Sequence, residues 1–332
     1  MEKIVIIKLG AKGDVVRTLP ILKAIKQKYP DSEIHWITKK SSSQILENIP
    51  EIKKLYSLPD YPDEEFDILY NLDIEDEATS LALKISAKQK YGFHNESGFV
   101  QSFNFPAEYY LNTLFDDELK KSNKKNYQEM MFETAELPYN KEHYRIPLTE
   151  KAKEYAEEFL KKNNITQENL IGIHLGASSR WPSKVWHEDN LKEFIKTARN
   201  NNYEILLFGG PNEIESHKKI VDDLINHGIK IYQNNPLNTD QEFFSLVNLC
   251  NAMICSDSFG LHIPIAFQKP TIGLFFCTPP NEVEDYGILK KISSPMLKDF
   301  FPEKMDQYSE ELVKSISPEK VLEVLKEIFP IK

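Results

Sequence analysis

Short apolar runs alternate with helical patterns along the whole chain, and this alternation constrains the fold more than any other feature. Continuous apolar runs such as 2–9 (EKIVIIKL) and 204–210 (EILLFGG) are typical of buried parallel strands. Segments with apolar residues at helical spacing follow them, for example at 189–200 and 213–227. The alternation therefore predicts an α/β protein with doubly wound parallel sheets.

The length of the chain and a highly charged helix at 149–164 predict two domains. A chain of 332 residues is too long for one compact core. We expect one Rossmann-like domain at 1–148 and a second at 149–332, and the terminal helix at 318–328 could pack back on the first. Ligands of such folds bind outside the carboxyl ends of the strands, so two facing domains predict an interdomain cleft.

Composition excludes several classes of protein. The chain carries 51 acidic and 41 basic residues, a net charge of −10, which argues against nucleic acid as a partner. The three cysteines form no CxxC pair and are typical of reduced thiols in a cytoplasmic protein. No apolar run approaches the roughly 20 residues that span a bilayer, so any membrane contact is expected to be peripheral.

The first strand is followed by KLGAKGDVVRTLP at 8–20, which resembles a phosphate-binding loop but contains a carboxylate. We expect Gly13 to allow a tight turn and a helix to run from Asp14 over 14–29. The helix N-terminus would stabilise the ionised carboxylate of Asp14. Gly13 and Arg17 are the candidate acceptor-binding residues, and Arg17, one turn further on, could orient the anionic groups of an acceptor.

A second polar stretch, GASSRWPSKVW at 176–186, follows the first strand of the second half. The hydroxyls of Ser178 and Ser179 and a cation from Arg180 or Lys184 could bind a diphosphate without a metal. A serine-capped surface loop is the alternative.

The third stretch, FGGPNE at 208–213, combines glycines with an acid. Gly210 allows close backbone approach, and Glu213 could accept the two hydroxyls of a ribose. An acid at a helix start is also favoured by the helix dipole alone, so both interpretations of Glu213 stay open.

The fourth stretch, CSDSFGLHIPIA at 255–266, places Asp257 at a strand end. The helix start from Ser258 through Gly260 would offer free amides to an anion, and Asp257 could hold sugar hydroxyls. His262 is either a core histidine, which we favour, or a phosphate contact.

Four segments together resemble glycosyltransferase family nine, the heptosyltransferases that build the lipopolysaccharide core. They are GDVVRTLP (13–20), HLGASSRWP (174–182), LFGGPNE (207–213) and SDSFGLHIPIAFQKPTIGLF (256–275). The resemblance implies a GT-B fold and an inverting, metal-independent transfer of heptose from ADP-heptose, with no cofactor. The implied acceptor is lipopolysaccharide core or a related surface glycan, reached in the cytoplasm by peripheral contact with the inner membrane.

The resemblance also implies roles for individual residues. Asp14 would be the general base, Ser178, Ser179 and Arg180 would bind the diphosphate, and Glu213 would bind the ribose. The fourth motif has one residue more before Gly260 than the family pattern.

Three alternatives differ in chemistry from this interpretation. A GT-B enzyme could use another nucleotide-sugar or act as an epimerase, although the GD turn and SDSFG disfavour the epimerase. A nucleotide-sugar-binding protein without turnover would not need Asp14. A nicotinamide dehydrogenase is disfavoured because no GxGxxG follows a strand.

Overall fold

The chain forms two compact units in the computed structural model, which describes residues 1–331. The first unit comprises Met1–Pro147 and Asn281–Glu284, and the second runs from Leu148 to Pro280 and resumes at Asp285. The expected boundary at 148/149 lies one residue from this division. Nothing in the sequence indicated that Asn281–Glu284 would belong to the first unit. Lys332, the last residue of the expected second domain, lies outside the described residues.

A six-stranded sheet forms the centre of the first unit. Its strands are β1 (Lys3–Ile7), β2 (Glu33–Thr38), β3 (Ile52–Ser57), β4 (Phe66–Asn71), β5 (Ala87–Glu96) and β6 (Phe99–Ser102). They lie in the order β3-β2-β1-β4-β5-β6. All neighbours are parallel, as predicted, except β5 and β6 at one edge, which pair antiparallel. Ser97 and Gly98, both with positive φ, connect β5 to β6.

Seven helices accompany this sheet: α1 (Lys12–Thr18), α2 (Ile21–Lys28), α3 (Ser43–Leu46), α4 (Asp76–Lys84), α5 (Ala107–Phe115), α6 (Asp117–Ser122) and α7 (Tyr127–Thr134). The single helix predicted over 14–29 was wrong, because the chain breaks between α1 and α2 at Pro20. Proline has no amide hydrogen to continue the helical ladder. The Leu19 amide instead bonds to the Val16 carbonyl oxygen at 3.1 Å, and α2 begins directly after Pro20.

The second unit contains an all-parallel sheet. Its strands are β7 (Leu170–His174), β8 (Glu204–Phe208), β9 (Tyr232–Gln233), β10 (Ala252–Ser256), β11 (Thr271–Phe275) and β12 (Leu289–Ser293). They lie in the order β12-β11-β10-β7-β8-β9. The sequence pattern missed β12 because this edge strand (LKKIS) is only partly buried and carries two lysines.

The remaining helices are α8 (Glu150–Asn163), α9 (Glu188–Asn200), α10 (Ile214–Asn226), α11 (Asp240–Leu249), α12 (Phe259–Ala266), α13 (Leu297–Phe300), α14 (Glu310–Lys314) and α15 (Pro318–Ile328). The apolar stripe of the terminal helix α15 packs within the second unit. Val321 and Leu325 of its apolar stripe are fully buried in the core of the second unit, together with Phe194 and Ile195 of α9. Among residues 1–331, no helix combines the length and hydrophobicity needed to cross a bilayer.

Candidate active site

Asp14 lies in the first turn of α1, directly beyond the carboxyl end of β1. The helix begins at Lys12, so Asp14 is its third residue rather than its first. Gly13 is helical as well, and the chain turns before it, at 9–11. The predicted turn-forming role of Gly13 is therefore wrong. The backbone amide of Asp14 donates to the carbonyl oxygen of Ala11 at 2.8 Å.

Arg17 holds the Asp14 carboxylate from the next turn of the same helix. Its Nη2 and Nε lie 2.7 and 3.1 Å from Asp14 Oδ1. The guanidinium also stacks on the Tyr127 ring, 3.8 Å from the centroid. Burial opposes the charge on Arg17, but the neighbouring negative charges, Asp14 foremost, raise its pKa above the usual value. Arg17, predicted to bind the acceptor, is thus a charged partner of Asp14.

Lys184 and Asp257 form an ion pair at the carboxyl edge of the second sheet. Lys184 ends a 3₁₀ turn, Pro182–Lys184, and its Nζ lies 2.7 Å from Asp257 Oδ2. The Thr278 hydroxyl donates to the same oxygen at 2.6 Å. Burial would raise the pKa of Asp257, but Lys184 and then Thr278 lower it well below its usual range. Asp257 therefore stays ionised at neutral pH.

The other predicted diphosphate residues, Ser178, Ser179 and Arg180, lie exposed on the loop after β7. The Ser178 hydroxyl accepts from the Arg180 amide at 3.3 Å. The Arg180 guanidinium lies 4.8 Å from the centroid of the Trp181 ring. Of the two candidate cations, Lys184 is the one that the fold brings to Asp257.

Glu213 turns back across the loops that follow β7 and β8. Its Oε2 accepts from the Gly210 amide at 2.8 Å. A β-carbon on Gly176 would lie 3.2 Å from the same carboxyl group, so Gly176 leaves the space that Glu213 fills. Gly176, from the loop after β7, and Glu213, from the loop after β8, thus lie together at the carboxyl edge of the second sheet.

The N-terminus of α12 carries the remaining predicted residues. Ser258 precedes the helix, and among the described residues its buried hydroxyl has no hydrogen-bond partner. Gly260 lies against His174, at the end of β7, since a β-carbon at position 260 would be 2.3 Å from His174 Nδ1. Burial lowers the pKa of His174 to about 4, so it is neutral at pH 7. His262 is itself buried and interacts electrostatically with Asp257.

Sequence reasoning missed four residues that contact or brace these groups: Lys8, Asp73, Tyr127 and Thr278. Asp73 and Thr278 follow shortly after β4 and β11, where polar residues at strand ends were the available signal. Lys8 ends an otherwise apolar run. Tyr127 carried no signal, because an aromatic at a helix start is most often a packing residue.

Solved structures have the same fold as this chain. A family 9 glycosyltransferase from Veillonella parvula matches with a TM-score of 0.80 at 20% identity, over 98% of this chain and 97% of that one. The E. coli ADP-heptose lipopolysaccharide heptosyltransferase II matches with a TM-score of 0.70 at 17% identity, over 98% of each chain. The chain therefore has the GT-B fold of glycosyltransferases, as its sequence predicted.

Sequence comparison gives the family. The profile of glycosyltransferase family 9 (heptosyltransferase) matches residues 62–308, and the chain belongs to this family. Lipopolysaccharide heptosyltransferase 1 of Campylobacter coli is 24% identical over 355 residues, covering 98% of this chain and 99% of that protein. The lipopolysaccharide core heptosyltransferase OpsX of Haemophilus influenzae is 23% identical over 307 residues, covering 88% and 84%. The protein is thus a glycosyltransferase of the heptosyltransferase type, which confirms the predicted family and enzyme class.

Proposed function

We propose that this chain transfers a heptose from ADP-heptose to lipopolysaccharide core or a related surface glycan, with inversion at the anomeric carbon. The observation that carries the proposal is the Asp14 carboxylate beyond β1, to which Arg17 donates twice at a single oxygen, Oδ1. This contact orients the carboxylate, which serves as the general base.

The reaction is a single displacement. Asp14 removes the proton from the acceptor hydroxyl as that oxygen attacks the anomeric carbon of the heptose. The bond from this carbon to the β-phosphate oxygen breaks, and ADP leaves with the electron pair. A positioned general base contributes about 10²–10⁴-fold to such a step.

The second unit supplies the donor site in this proposal. Lys184 and the amides at the start of α12, near Ser258 and Gly260, stabilise the charge that develops on the leaving diphosphate. Ser178, Ser179 and Arg180 add contacts from their exposed loop.

Two acids bind the sugars in the same unit. Glu213, held beside Gly210, accepts the ribose hydroxyls, and Asp257 accepts hydroxyls of the heptose. With protein cations on the diphosphate, the reaction needs no metal and no cofactor. Turnover should accordingly be unchanged by a chelator, and NMR of the product should give the anomeric configuration opposite to that of the donor.

A thermal-shift screen of nucleotide-sugars tests the donor. A ligand at 100 times its dissociation constant stabilises the folded chain by about 2.7 kcal/mol. We expect ADP and ADP-heptose to raise the melting temperature, whereas UDP-sugars should not. The reverse pattern would overturn ADP-heptose as the donor. Binding of ADP-heptose without release of ADP on addition of acceptor would support a binding protein without turnover.

We further propose peripheral contact with the cytoplasmic face of the inner membrane, since the proposed acceptor is lipid-anchored. The first unit leaves Phe99, Phe105 and Phe115 exposed, by 71%, 82% and 72%. Aromatic side chains of this kind insert at the membrane interface. Triple replacement of these phenylalanines by serine should abolish sedimentation with anionic lipid vesicles and leave binding of ADP unchanged. Equal sedimentation of the variant and the original chain would contradict the contact.

A further inference from the structure

A buried carboxylate occupies the turn between β1 and α1. Oδ2 of Asp73, which follows β4, accepts from the amides of Leu9 and Gly10 at 2.9 and 2.6 Å. Its Oδ1 accepts from the Glu75 amide at 3.1 Å. Asp73 is only 3% exposed. In phosphate-binding loops, amides at this position bind the ligand. Here a side chain of the protein binds them, so the turn is internally satisfied.

Lys8 supplies the counter-charge of this carboxylate. It is 4% exposed, donates to the Leu72 carbonyl oxygen at 2.7 Å and lies 3.6 Å from Asp73 Oδ2. Burial opposes the ionised form of Asp73, but Lys8 and the backbone donors lower its pKa below the usual value. Both groups are therefore charged at neutral pH, and removal of either would leave the other as an uncompensated buried charge.

The neighbouring strands fix the backbone of Asp73 as well. The side chain of Asn71, at the end of β4, accepts from the Asp73 amide at 3.3 Å and donates to its carbonyl oxygen at 3.0 Å. The same side chain donates to the carbonyl oxygen of Phe93 in β5 at 2.6 Å. Asn71 thus links the backbone of Asp73 to β4 and β5, and this fixes the position from which the Asp73 carboxylate binds the turn after β1.

Three charged groups converge on Gly10. A β-carbon at this position would lie 3.1 Å from Asp73 Oδ2, 3.5 Å from Asp14 Oδ2 and 3.8 Å from Lys8 Nζ. Helix α1 begins two residues after Gly10, with Asp14 in its first turn. Whatever fixes the amides of Leu9 and Gly10 therefore fixes the direction in which α1 starts and the place of the Asp14 carboxylate.

We propose that Asp73 is a positioning residue for Asp14, with Lys8 as its buried counter-charge. Asp73 clamps the turn through two amides and contacts neither donor nor acceptor. The inference rests on the proposed function, in which Asp14 is the general base. It adds that this base is held by a carboxylate 59 positions further along the chain, just beyond the neighbouring strand β4 of the sheet.

The test compares Asp73→Asn with a matched control, Asp67→Asn. An asparagine that accepts from Leu9 and Gly10 would direct its amide hydrogens at the Glu75 amide, and Lys8 would lose its partner. A misplacement of about 1 Å can cost 10²-fold in rate, so we expect kcat to fall by about 10- to 100-fold in Asp73→Asn. The KM for ADP-heptose should change less than about twofold, since the proposed donor residues belong to the second unit.

Asp67 is a suitable control because it links the same two strands, β1 and β4, at the end of the sheet opposite to Asp73. It accepts from the Lys3 amide at 2.8 Å and from Lys88 Nζ at 2.7 Å. Asp67→Asn should keep kcat. Hydrogen exchange supplies a readout that does not depend on turnover. The amides of Leu9 and Gly10 should lose protection in Asp73→Asn and keep it in Asp67→Asn.

The pH profile separates positioning from a merely structural role. Asp73→Asn removes a negative charge near Asp14 and should move the acid limb of kcat/KM to lower pH, whereas Lys8→Met removes a positive charge and should move it to higher pH. The charged and titratable groups around Asp14 and Arg17 include Lys8, Asp73, Tyr110, Tyr127 and Glu282. A structural role alone would not shift the limb in opposite directions.

The outcomes separate this inference from the proposed function. Unchanged kcat and unchanged exchange at Leu9 and Gly10 in Asp73→Asn would overturn the positioning role. Absence of ADP-heptose turnover in the original chain would overturn the proposed function, while the exchange experiment would still decide whether Asp73 clamps the turn. Should Asp73→Asn fail to fold, the double variant Lys8→Met/Asp73→Asn removes both buried charges together and takes its place in the same comparison.

Discussion

Asp14→Asn should reduce heptose transfer by about 10²–10⁴-fold while leaving the affinity for ADP intact. The asparagine side chain keeps the shape of aspartate and can still accept from Arg17, but it cannot take a proton from the acceptor hydroxyl. ADP release measures the loss of transfer, and calorimetric titration with ADP measures the donor site. Every proposed donor residue lies in the second unit. In this variant ADP release should therefore fall, while the affinity for ADP stays unchanged.

Asp76→Asn is the matched control for Asp14→Asn. Asp76 also lies in the first turn of a helix of the first unit, α4, and is exposed. It lies in the first turn of its helix as Asp14 does, although it is the first residue there and Asp14 is the third, and it does not contact Arg17. Its replacement should therefore leave transfer within about twofold. Near-normal turnover of Asp14→Asn, or an equal loss in both variants, would contradict the assignment of Asp14 as the base.

The parts of the candidate site that could be predicted from the sequence are the polar residues that follow a single strand. Buried parallel strands are continuous apolar runs, so polar residues that follow such a run stand out, either directly, as Asp257 does, or at the start of the next helix, as Asp14 does. Sheet order then places these residues at the carboxyl edge, where ligands of this fold class bind. Local patterning is sufficient for this step because it uses only residues that are adjacent in the chain.

Pairings between distant segments could not be predicted in this way. Lys8 and Asp73 meet because β4 lies next to β1, although 64 positions separate Asp73 from Leu9, whose amide it binds. Thr278 reaches Asp257 from beyond the neighbouring strand β11. Periodicity carries no information on strand order, so neither partner was visible. The break at Pro20 differs, since proline inside a predicted helix was an available signal that the pattern of apolar residues outweighed.

Lys184→Met should lower kcat/KM for ADP-heptose by about 10²–10³-fold, the usual loss when one donor to a developing negative charge is removed. Methionine keeps much of the length of the side chain but brings no charge to the leaving diphosphate. It also leaves Asp257 with the Thr278 hydroxyl and without its cation. The pKa of Asp257 should therefore rise, because burial continues to oppose the ionised form.

Lys184→Met should also change how the stability of the fold depends on pH. The folded-state pKa of Asp257 is depressed, so its pairing stabilises the fold above the unfolded-state pKa of about 3.9 and is lost as the pH falls below it. In Lys184→Met the raised folded-state pKa lies closer to the unfolded value, so this contribution is smaller at neutral pH and less of it is lost on acidification. Thermal unfolding measured between about pH 3 and pH 7 should show the variant less stable near neutral pH, and its deficit relative to the original chain should narrow as the solution is acidified.

Arg180→Met is the matched control for Lys184→Met, because it removes a cation from the same stretch of chain. Arg180 is exposed and lies over Trp181, whereas Lys184 is paired with Asp257. Exposed cations are screened by water and contribute little, so Arg180→Met should lower kcat/KM by less than about tenfold and leave acid stability unchanged. A greater loss in Arg180→Met than in Lys184→Met would instead assign the diphosphate to Arg180 and leave Lys184 as the structural partner of Asp257.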